Sequence, residues 1–407
     1  MGLIIATGML SVIFLSGSCT PAPGFDNRLK SIVKPHRFSI AKWEFRTLPY
    51  EVNQWIFGGP KKIDDEVGIV TEYFLYVERI KTLKSEIEAI NAGKGQGDLA
   101  SLEAELNKLQ EQRAALDETV ERILGKQIKE ILAQQGIFNP ILKSRVNFPP
   151  LIFKMEKPPR LLVVSPRERI ESIRRIPLQP GVNLEETEAI EAEVDKLGVS
   201  SLVVELGGFA AYPSLVTNDA SLQFVIDTVT EEWLHQYLAF TPLGIRYLLD
   251  VAGVSRNYEI ATINETLAGI VSKEIGAIVC GEYYAECEGQ QKPVAKPEFD
   301  FNREMREIRR AVDQYLARGE IEQAEEFMEQ KRQYLASKGY YIRKLNQAYF
   351  AFYGTYADSP TSISPIGVEM KELRHQSTSL KDFLDTVAVM ASRQDLKAAL
   401  KSGELEE

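Results

Sequence analysis

Residues 228–240 read TVTEEWLHQYLAF, the stretch on which the predicted fold depends. Glu231 and His235 are four positions apart, a spacing that puts both side chains on one face of a helix. A carboxylate and an imidazole so placed can bind one zinc ion, and Glu232 lies beside them. Zinc lowers the pKa of a bound water to about 7, and a neighbouring carboxylate can carry that proton to a leaving amine. The stretch predicts a hydrolytic zinc site with Glu232 as general base.

A third zinc ligand must come from elsewhere in the chain, and residues 261–269, ATINETLAG, supply one. Glu265 stands near the start of a second helix, predicted from about residue 263 to 278. The run Glu-Glu-x-x-His alone is also typical of a solvated helix face. Together with the second segment, it predicts one zinc ion held by Glu231, His235 and Glu265.

These two segments resemble the thermolysin-like (gluzincin) zinc metallopeptidases, which carry His-Glu-x-x-His on one helix and Asn-Glu on the next. The resemblance covers about residues 200–390. It implies that Glu232 is the general base and that His235 and Glu265 bind zinc. Glu231 then occupies the first ligand position.

Two further features fit this resemblance. Residues 207–212, which contain a glycine pair, would form the edge strand that pairs with the backbone of a peptide substrate. Residues 345–353, LNQAYFAFY, are similar to a helix of membrane-associated bacterial proteins assigned as aminopeptidases. The phenol of Tyr353 or of Tyr356 is a candidate donor to the oxyanion, although aromatic residues on a helix are more often core.

Two positions depart from the family pattern. Glu231 stands where a His is expected, and a second carboxylate ligand nearly cancels the charge of the ion and weakens it as a Lewis acid. Gly269 stands where thermolysin-like enzymes have an Asp that orients the first His. Two functions therefore stay open: a zinc-dependent peptidase, or a catalytically inactive relative that binds peptides or scaffolds partners in the cell envelope.

Two other polar residues are weaker candidates. His375 could replace the missing ligand, but we expect it to be a surface histidine. Asp227 shares the helix face of Glu231 and either orients a ligand or belongs to the polar surface.

Residues 1–24 predict export. Leu3 to Leu15 is apolar, and the first charged side chain is Asp26, as in a secretion signal too short to span a membrane comfortably. The usual positive start is missing, so either the start codon is misassigned or the segment stays as a weak anchor. Cys19 follows Ser-Gly-Ser and resembles the lipidated cysteine of bacterial lipoproteins; an unmodified cysteine fits equally well. We expect an extracytoplasmic protein anchored to a membrane.

Helical periodicity dominates residues 25–145. Apolar residues recur every three or four positions from Val77 to Ile90 and again from Leu99 to Leu124. GKGQGD at 93–98 separates the two runs, with Asp98 placed as a helix cap. The pattern predicts an antiparallel helical hairpin with a coiled-coil-like stripe. That stripe either packs on its own domain, which we favour, or binds a partner helix.

Residues 146–400 are predicted to form a zincin-like metallopeptidase domain with a small mixed sheet and C-terminal helices. Apolar runs at 151–153, 161–164 and 201–213 predict strands. The site helix is followed by a predicted loop through Gly253 and Asn257. Further helices are predicted at 301–316, 321–336, 341–356 and 380–390. The fold class is α+β and predominantly helical.

Charge and cysteine content bound the remaining possibilities. The net charge is -10, with Lys and Arg mixed among Asp and Glu, so a nucleic-acid partner is not expected. A peptide or protein substrate and the membrane are the predicted partners. Within one helix the α-carbons of Cys280 and Cys287 would lie roughly 10 Å apart, too far for a disulfide unless the chain breaks near Gly281. Two buried thiols are expected.

Overall fold

The computed structural model describes residues 24–47, 64–141, 145–284, 287, 299–357 and 359–403. The predicted export segment, with Cys19, lies outside these residues apart from its last position. The molecule is 63% helix and 8% strand, which confirms the predominantly helical α+β class. Among the helices in these ranges, none combines the length and the apolar character that crossing a membrane requires.

An antiparallel hairpin forms the N-terminal part, as predicted. After helix α1 (Phe25–Val33) come α2 (Glu66–Asn91) and α3 (Leu99–Gln134), and the Asp98 side chain accepts a hydrogen bond from the Ala100 N–H at the start of α3. Lys126 pairs with Glu66 at one end. The apolar residues near that end belong to one large core with the site helices, so the stripe packs within its own chain.

Two three-stranded sheets follow. The first is antiparallel and consists of β2 (Arg160–Pro166), β3 (Arg174–Leu178) and β4 (Val199–Val204). The strand order in this sheet is β3-β2-β4. Leu162 pairs with Ile176 on one side and Val203 on the other. Helix α4 (Leu184–Asp195) joins β3 to β4, and its start is fixed by a capping box between Asn183 and Glu186.

The second sheet has the order β1-β6-β5, with β1 (Phe153–Met155) parallel and β5 (Gly208–Phe209) antiparallel to β6 (Ser214–Val216). The single strand predicted over 201–213 is therefore wrong. β4 and β5 belong to different sheets because the chain leaves the first sheet after Val204. The predicted edge strand over 207–212 is reduced to β5, which does lie at a sheet edge.

Three helices carry the centre of the molecule: α5 (Leu222–Leu238), α6 (Pro242–Val251) and α7 (Tyr258–Tyr283). α5 and α7 are the predicted site helices, although α7 begins earlier and ends later than expected. The predicted loop through Gly253 and Asn257 is present, but the chain before it forms α6, which was not predicted. The Thr241 side chain caps this helix at the Gly244 N–H, and Pro242 occupies its first position, where the missing N–H costs no hydrogen bond.

The C-terminal third is helical. α8 (Phe301–Ala317) and α9 (Ile321–Ser337) confirm the predicted pair, whereas α10 (Gln347–Tyr353) is shorter than predicted because Asn346 caps it at the Tyr349 N–H. α10 packs on the first sheet, with Phe352 against apolar residues of β2 and β4. α11 (Ile366–Gln376) and α12 (Leu380–Ala388) follow, and α13 (Arg393–Gly403) extends the chain past the helix predicted as the last.

Cys280 and Cys287 form a disulfide, with α-carbons 5.5 Å apart, so the prediction of two thiols is wrong. That prediction assumed that Cys280 and Cys287 lie on one continuous helix. α7 instead ends at Tyr283, and Tyr284 adopts an extended backbone. The chain therefore turns away from the helix axis in time to bring Cys287 back beside Cys280.

Candidate metal centre

Helix α5 is held against the sheets through its polar face. The Ser221 side chain caps the helix at the Phe224 N–H. The Gln236 amide donates to the Ala211 carbonyl and to Ser214 Oγ, both at 2.8 Å, and the Trp233 indole donates to the Pro149 carbonyl at 2.8 Å. These bonds fix the rotation of α5 about its axis, and so the direction of Glu231 and His235.

Helix α7 runs antiparallel to α5 and brings a third side chain to the same point. Glu265 lies two turns into α7 and is 7% exposed. Its Oε2 is 3.6 Å from His235 Nε2. One ligand atom each from Glu231, His235 and Glu265 lies within 4.8 Å of the other two. The three side chains predicted as ligands therefore converge, and this partly buried Glu-His-Glu group could hold a metal ion.

Polar neighbours fix two of these three side chains. His235 Nδ1 is 3.0 Å from Asn264 Oδ1. A proton on Nδ1 would make that contact a hydrogen bond and leave the Nε2 lone pair directed at the ligand group. The Tyr247 hydroxyl donates to Glu265 Oε1 at 2.6 Å, and its ring stacks on His235 with centroids 5.9 Å apart. Asn264 and Tyr247 thus orient the imidazole and the carboxylate.

The charges in the site are unbalanced. Burial raises the pKa of Glu231; His235 nearby lowers that pKa and Glu265 raises it. Burial, together with the negative Glu231 and Glu265, raises the pKa of Glu232 well above its ordinary value. Three carboxylates thus share a half-buried site with one imidazole, and a cation would relieve their repulsion.

A cavity of about 170 Å³ lies against this group, and Gly208 of β5 forms one of its walls. A Cβ added at Gly208 would lie 2.3 Å from Glu232 Oε1 and 2.5 Å from Thr228 Cγ2. No side chain fits in that space, so the backbone of the edge strand passes directly over Glu232. Glu232 therefore lies between the ligand group and an edge strand.

The remaining candidates are dispersed. Tyr356 lines the cavity together with Glu232, whereas the Tyr353 ring packs against Tyr349 and Phe352 and does not belong to the described lining. His375 is exposed at the end of α11. Asp227 accepts a hydrogen bond from the Gln223 amide at 2.7 Å, one turn before Glu231.

Gly269, the position at which an orienting Asp is expected, is open. An added Cβ would meet no atom within 4 Å. At position 269, α7 therefore places no carboxylate beside Glu231.

Sequence reasoning missed two residues of the site. Tyr247 lies on α6, and the pair Thr241-Pro242 was a helix-start signal that could have revealed this helix. Arg175 lines the cavity from β3. This strand was not predicted, because Pro177 lies within it and the surrounding stretch is mostly polar.

No family model, curated protein or solved structure matches the chain. The chemistry of the site therefore rests on its own geometry.

Proposed function

We propose that the protein is a zinc-dependent peptidase that works outside the cytoplasm, tethered to a membrane. The convergence of Glu231, His235 and Glu265 on one point carries this proposal. It agrees with the resemblance to thermolysin-like peptidases, in which the ligands come from two neighbouring helices in the same order.

The donor set suits zinc. Zinc in catalytic sites takes three protein ligands from imidazole and carboxylate groups at about 2.0–2.2 Å, which puts ligand atoms about 3.3–3.6 Å apart in a tetrahedron. The 3.6 Å between His235 Nε2 and Glu265 Oε2 agrees with that spacing. The excess of carboxylates favours a bound divalent cation. When bound, zinc would supply Lewis acidity towards a carbonyl oxygen and a water molecule.

The protein's own groups would then handle substrate and proton. The edge of β5 would pair with the extended backbone of the peptide above Glu232. Glu232 would accept a proton from the attacking water and pass it to the leaving amine. Tyr356, a phenol in the cavity wall, would donate to the oxyanion in the role first assigned to Tyr353 or Tyr356.

Two observations support the location. The sequence of residues 1–24 has the apolar stretch of a secretion signal, followed by Cys19 in a lipoprotein-like context. The disulfide between Cys280 and Cys287 is typical of an oxidising compartment. The membrane tether would be a retained signal segment or a lipid on Cys19.

One set of variants tests the peptidase. We expect purified protein to bind one zinc ion, measured by inductively coupled plasma mass spectrometry, and to cleave members of a peptide library, measured by mass spectrometry. His235→Ala should lose both, because a ligand is gone. Glu232→Gln should keep zinc and lose cleavage by at least about a hundredfold. Equal cleavage by wild type and Glu232→Gln would remove Glu232 from the base role.

A second function is favoured by Glu231 and by the open position at Gly269: a catalytically inactive relative that binds peptides or scaffolds envelope partners. This alternative expects neither zinc nor cleavage in the wild-type protein. Stoichiometric zinc that His235→Ala abolishes would argue against it.

A further inference from the structure

A second and larger cavity adjoins the metal centre. It is a groove of about 970 Å³, large enough for several residues of an extended peptide. Arg175 and Val251 line both this groove and the smaller cavity over the ligand group. The groove and the cavity over the ligand group therefore share a wall at Arg175 and Val251.

The groove differs from the rest of the protein in charge. Six cationic residues line it against three acidic ones, although the chain as a whole carries a net charge of -10. Two of the acidic residues are already engaged, since Arg174 pairs with Asp26 at 2.8 Å and Arg256 lies 4.0 Å from Glu171. Counted over its described lining residues, the groove therefore keeps an excess of positive charge.

Among the described residues, Arg175 is the cation that lines both cavities. It is half-buried, and its Nε donates to Ser172 Oγ at 3.2 Å. No carboxylate among the described residues lies within 4.0 Å of its guanidinium, whereas its neighbour Arg174 has Asp26. Withdrawing a cation from water without a partner is costly. Arg175 therefore has capacity for an anion that the described residues do not supply.

The position of Arg175 also puts it within electrostatic reach of the metal centre. Burial raises the pKa of Tyr247 and of Tyr356 well above the ordinary value; the charge of Glu265 raises both further, and the charge of Arg175 opposes that rise. Arg175 and Glu265 thus shift the pKa of the same two phenols in opposite directions. An anion seated on Arg175 would lie at the wall that the groove shares with the cavity over the ligand group.

We propose that Arg175 receives a carboxylate of the peptide substrate, one that reaches the groove beside the metal centre. This inference rests on the proposed peptidase function, because it assigns the substrate class of that site. A guanidinium presents a planar pair of N–H donors that matches a carboxylate in two parallel hydrogen bonds. The carboxylate can be the free C-terminus of a short peptide or the side chain of an acidic residue.

Binding of matched peptides tests this proposal without relying on turnover. The probes are dansyl-labelled tetrapeptides in two pairs, one with a C-terminal carboxylate or amide, and one with an internal Glu or Gln. Fluorescence anisotropy measures their affinity for the full-length protein with zinc, in a Glu232→Gln background that prevents cleavage. Arg175→Gln removes the cation, and Arg175→Lys keeps the charge but not the planar pair of donors. Arg160→Gln, at the start of β2 and outside the lining of both cavities, is the control.

We expect one carboxylate peptide to bind about ten- to a hundredfold more tightly than its neutral partner, and the pair that shows this preference identifies the source of the carboxylate. Arg175→Gln should reduce the preference to about one, Arg175→Lys should leave part of it, and Arg160→Gln should leave all of it. Equal binding of the members in both pairs would overturn the proposal, as would a preference that survives Arg175→Gln or an absence of binding. Carboxylate-selective binding without cleavage by the wild-type protein would reject the peptidase and leave the role of Arg175 intact.

Discussion

The α2–α3 hairpin and the α5–α7 site pair are both antiparallel helix pairs, and they handle polar residues in opposite ways. In the hairpin, Arg79 and Glu105 form an ion pair in which each side chain is 42% exposed. In the site pair, His235 and Glu265 face each other with side chains only 13% and 7% exposed. The pair between the two hairpin helices stays in water, whereas the site pair takes its charges into the protein.

This difference separates a structural element from a functional one. Apolar contacts suffice to hold two helices together, as the buried seam of the hairpin demonstrates. Carboxylates buried beside one another raise the free energy of the folded state, which the raised pKa values of Glu231 and Glu232 express. Buried clusters of this kind are typical of sites at which a bound ligand stabilises them. The burial of charge in the site pair is thus the strongest sign of function in this molecule.

The largest effect is expected from making the site pair less charged. Glu231→His replaces one of the carboxylates by a neutral imidazole and restores the ligand set of the thermolysin-like enzymes. Zinc would keep more of its positive charge and become a stronger Lewis acid. We expect zinc affinity and peptide cleavage to rise about ten- to a hundredfold, measured by competition with a fluorescent chelator and by a peptide cleavage assay.

The hairpin provides the control for this gain. Glu86→His puts a histidine on α2, where the Glu86 side chain is 43% exposed. It should leave zinc affinity and cleavage unchanged. If Glu231→His raises neither quantity, residue 231 does not contribute a metal ligand, and the proposed centre is wrong.

Glycine substitutions give the next largest contrast. Gly208→Ala would push a methyl group into Glu232 and Thr228, so we expect a loss of about 1–3 kcal/mol in the free energy of unfolding and a loss of cleavage. In the hairpin, a Cβ at Gly125 would meet its nearest neighbour, Leu151 Cδ2, at an ordinary 3.6 Å. Gly125→Ala should therefore stabilise α3 by about 0.5–1 kcal/mol. Urea denaturation of both variants measures whether the free energy of unfolding falls or rises.

The opposite signs are the critical result. A Gly208→Ala variant as stable and as active as the wild type would mean that the edge strand does not pass as closely over Glu232 as 2.3 Å implies. Destabilisation by Gly125→Ala would mean that α3 packs more tightly on Leu151 than the 3.6 Å contact indicates.

The hairpin was predictable because its information is local. The spacing of apolar residues, the glycine-rich break and the cap at Asp98 each depend on neighbours in the sequence, and together they determine two helices and a turn. The disulfide was not predictable in the same way. It depends on α7 ending at Tyr283, three residues after Cys280, and no strong stop signal marks that end.

The candidate metal site was predictable only in the three side chains that could bind the ion. Glu231 and His235 share a helix face by spacing alone, and Asn264-Glu265 was recognisable as a second segment. Gly208, Tyr247 and Arg175 reach the site from three other elements, and their proximity follows from how these elements pack. The sequence therefore indicated which residues could bind a metal, while the surroundings that orient them required the tertiary structure.

The smallest effect is expected from removing the surface ion pair between Arg79 and Glu105 of the hairpin. Arg79 donates to Glu105 through Nε at 2.8 Å and through a terminal amino group at 3.1 Å, which is favourable geometry for two side chains in open solvent. Water and salt screen such a pair, and holding two long side chains in one arrangement offsets most of the attraction. In a double-mutant cycle of Arg79→Gln and Glu105→Gln, the urea midpoints should reveal no coupling beyond experimental error. A strong coupling that persists at high salt would mean that the hairpin, like the site pair, depends on charges shielded from water, and the contrast between the two helix pairs would fail.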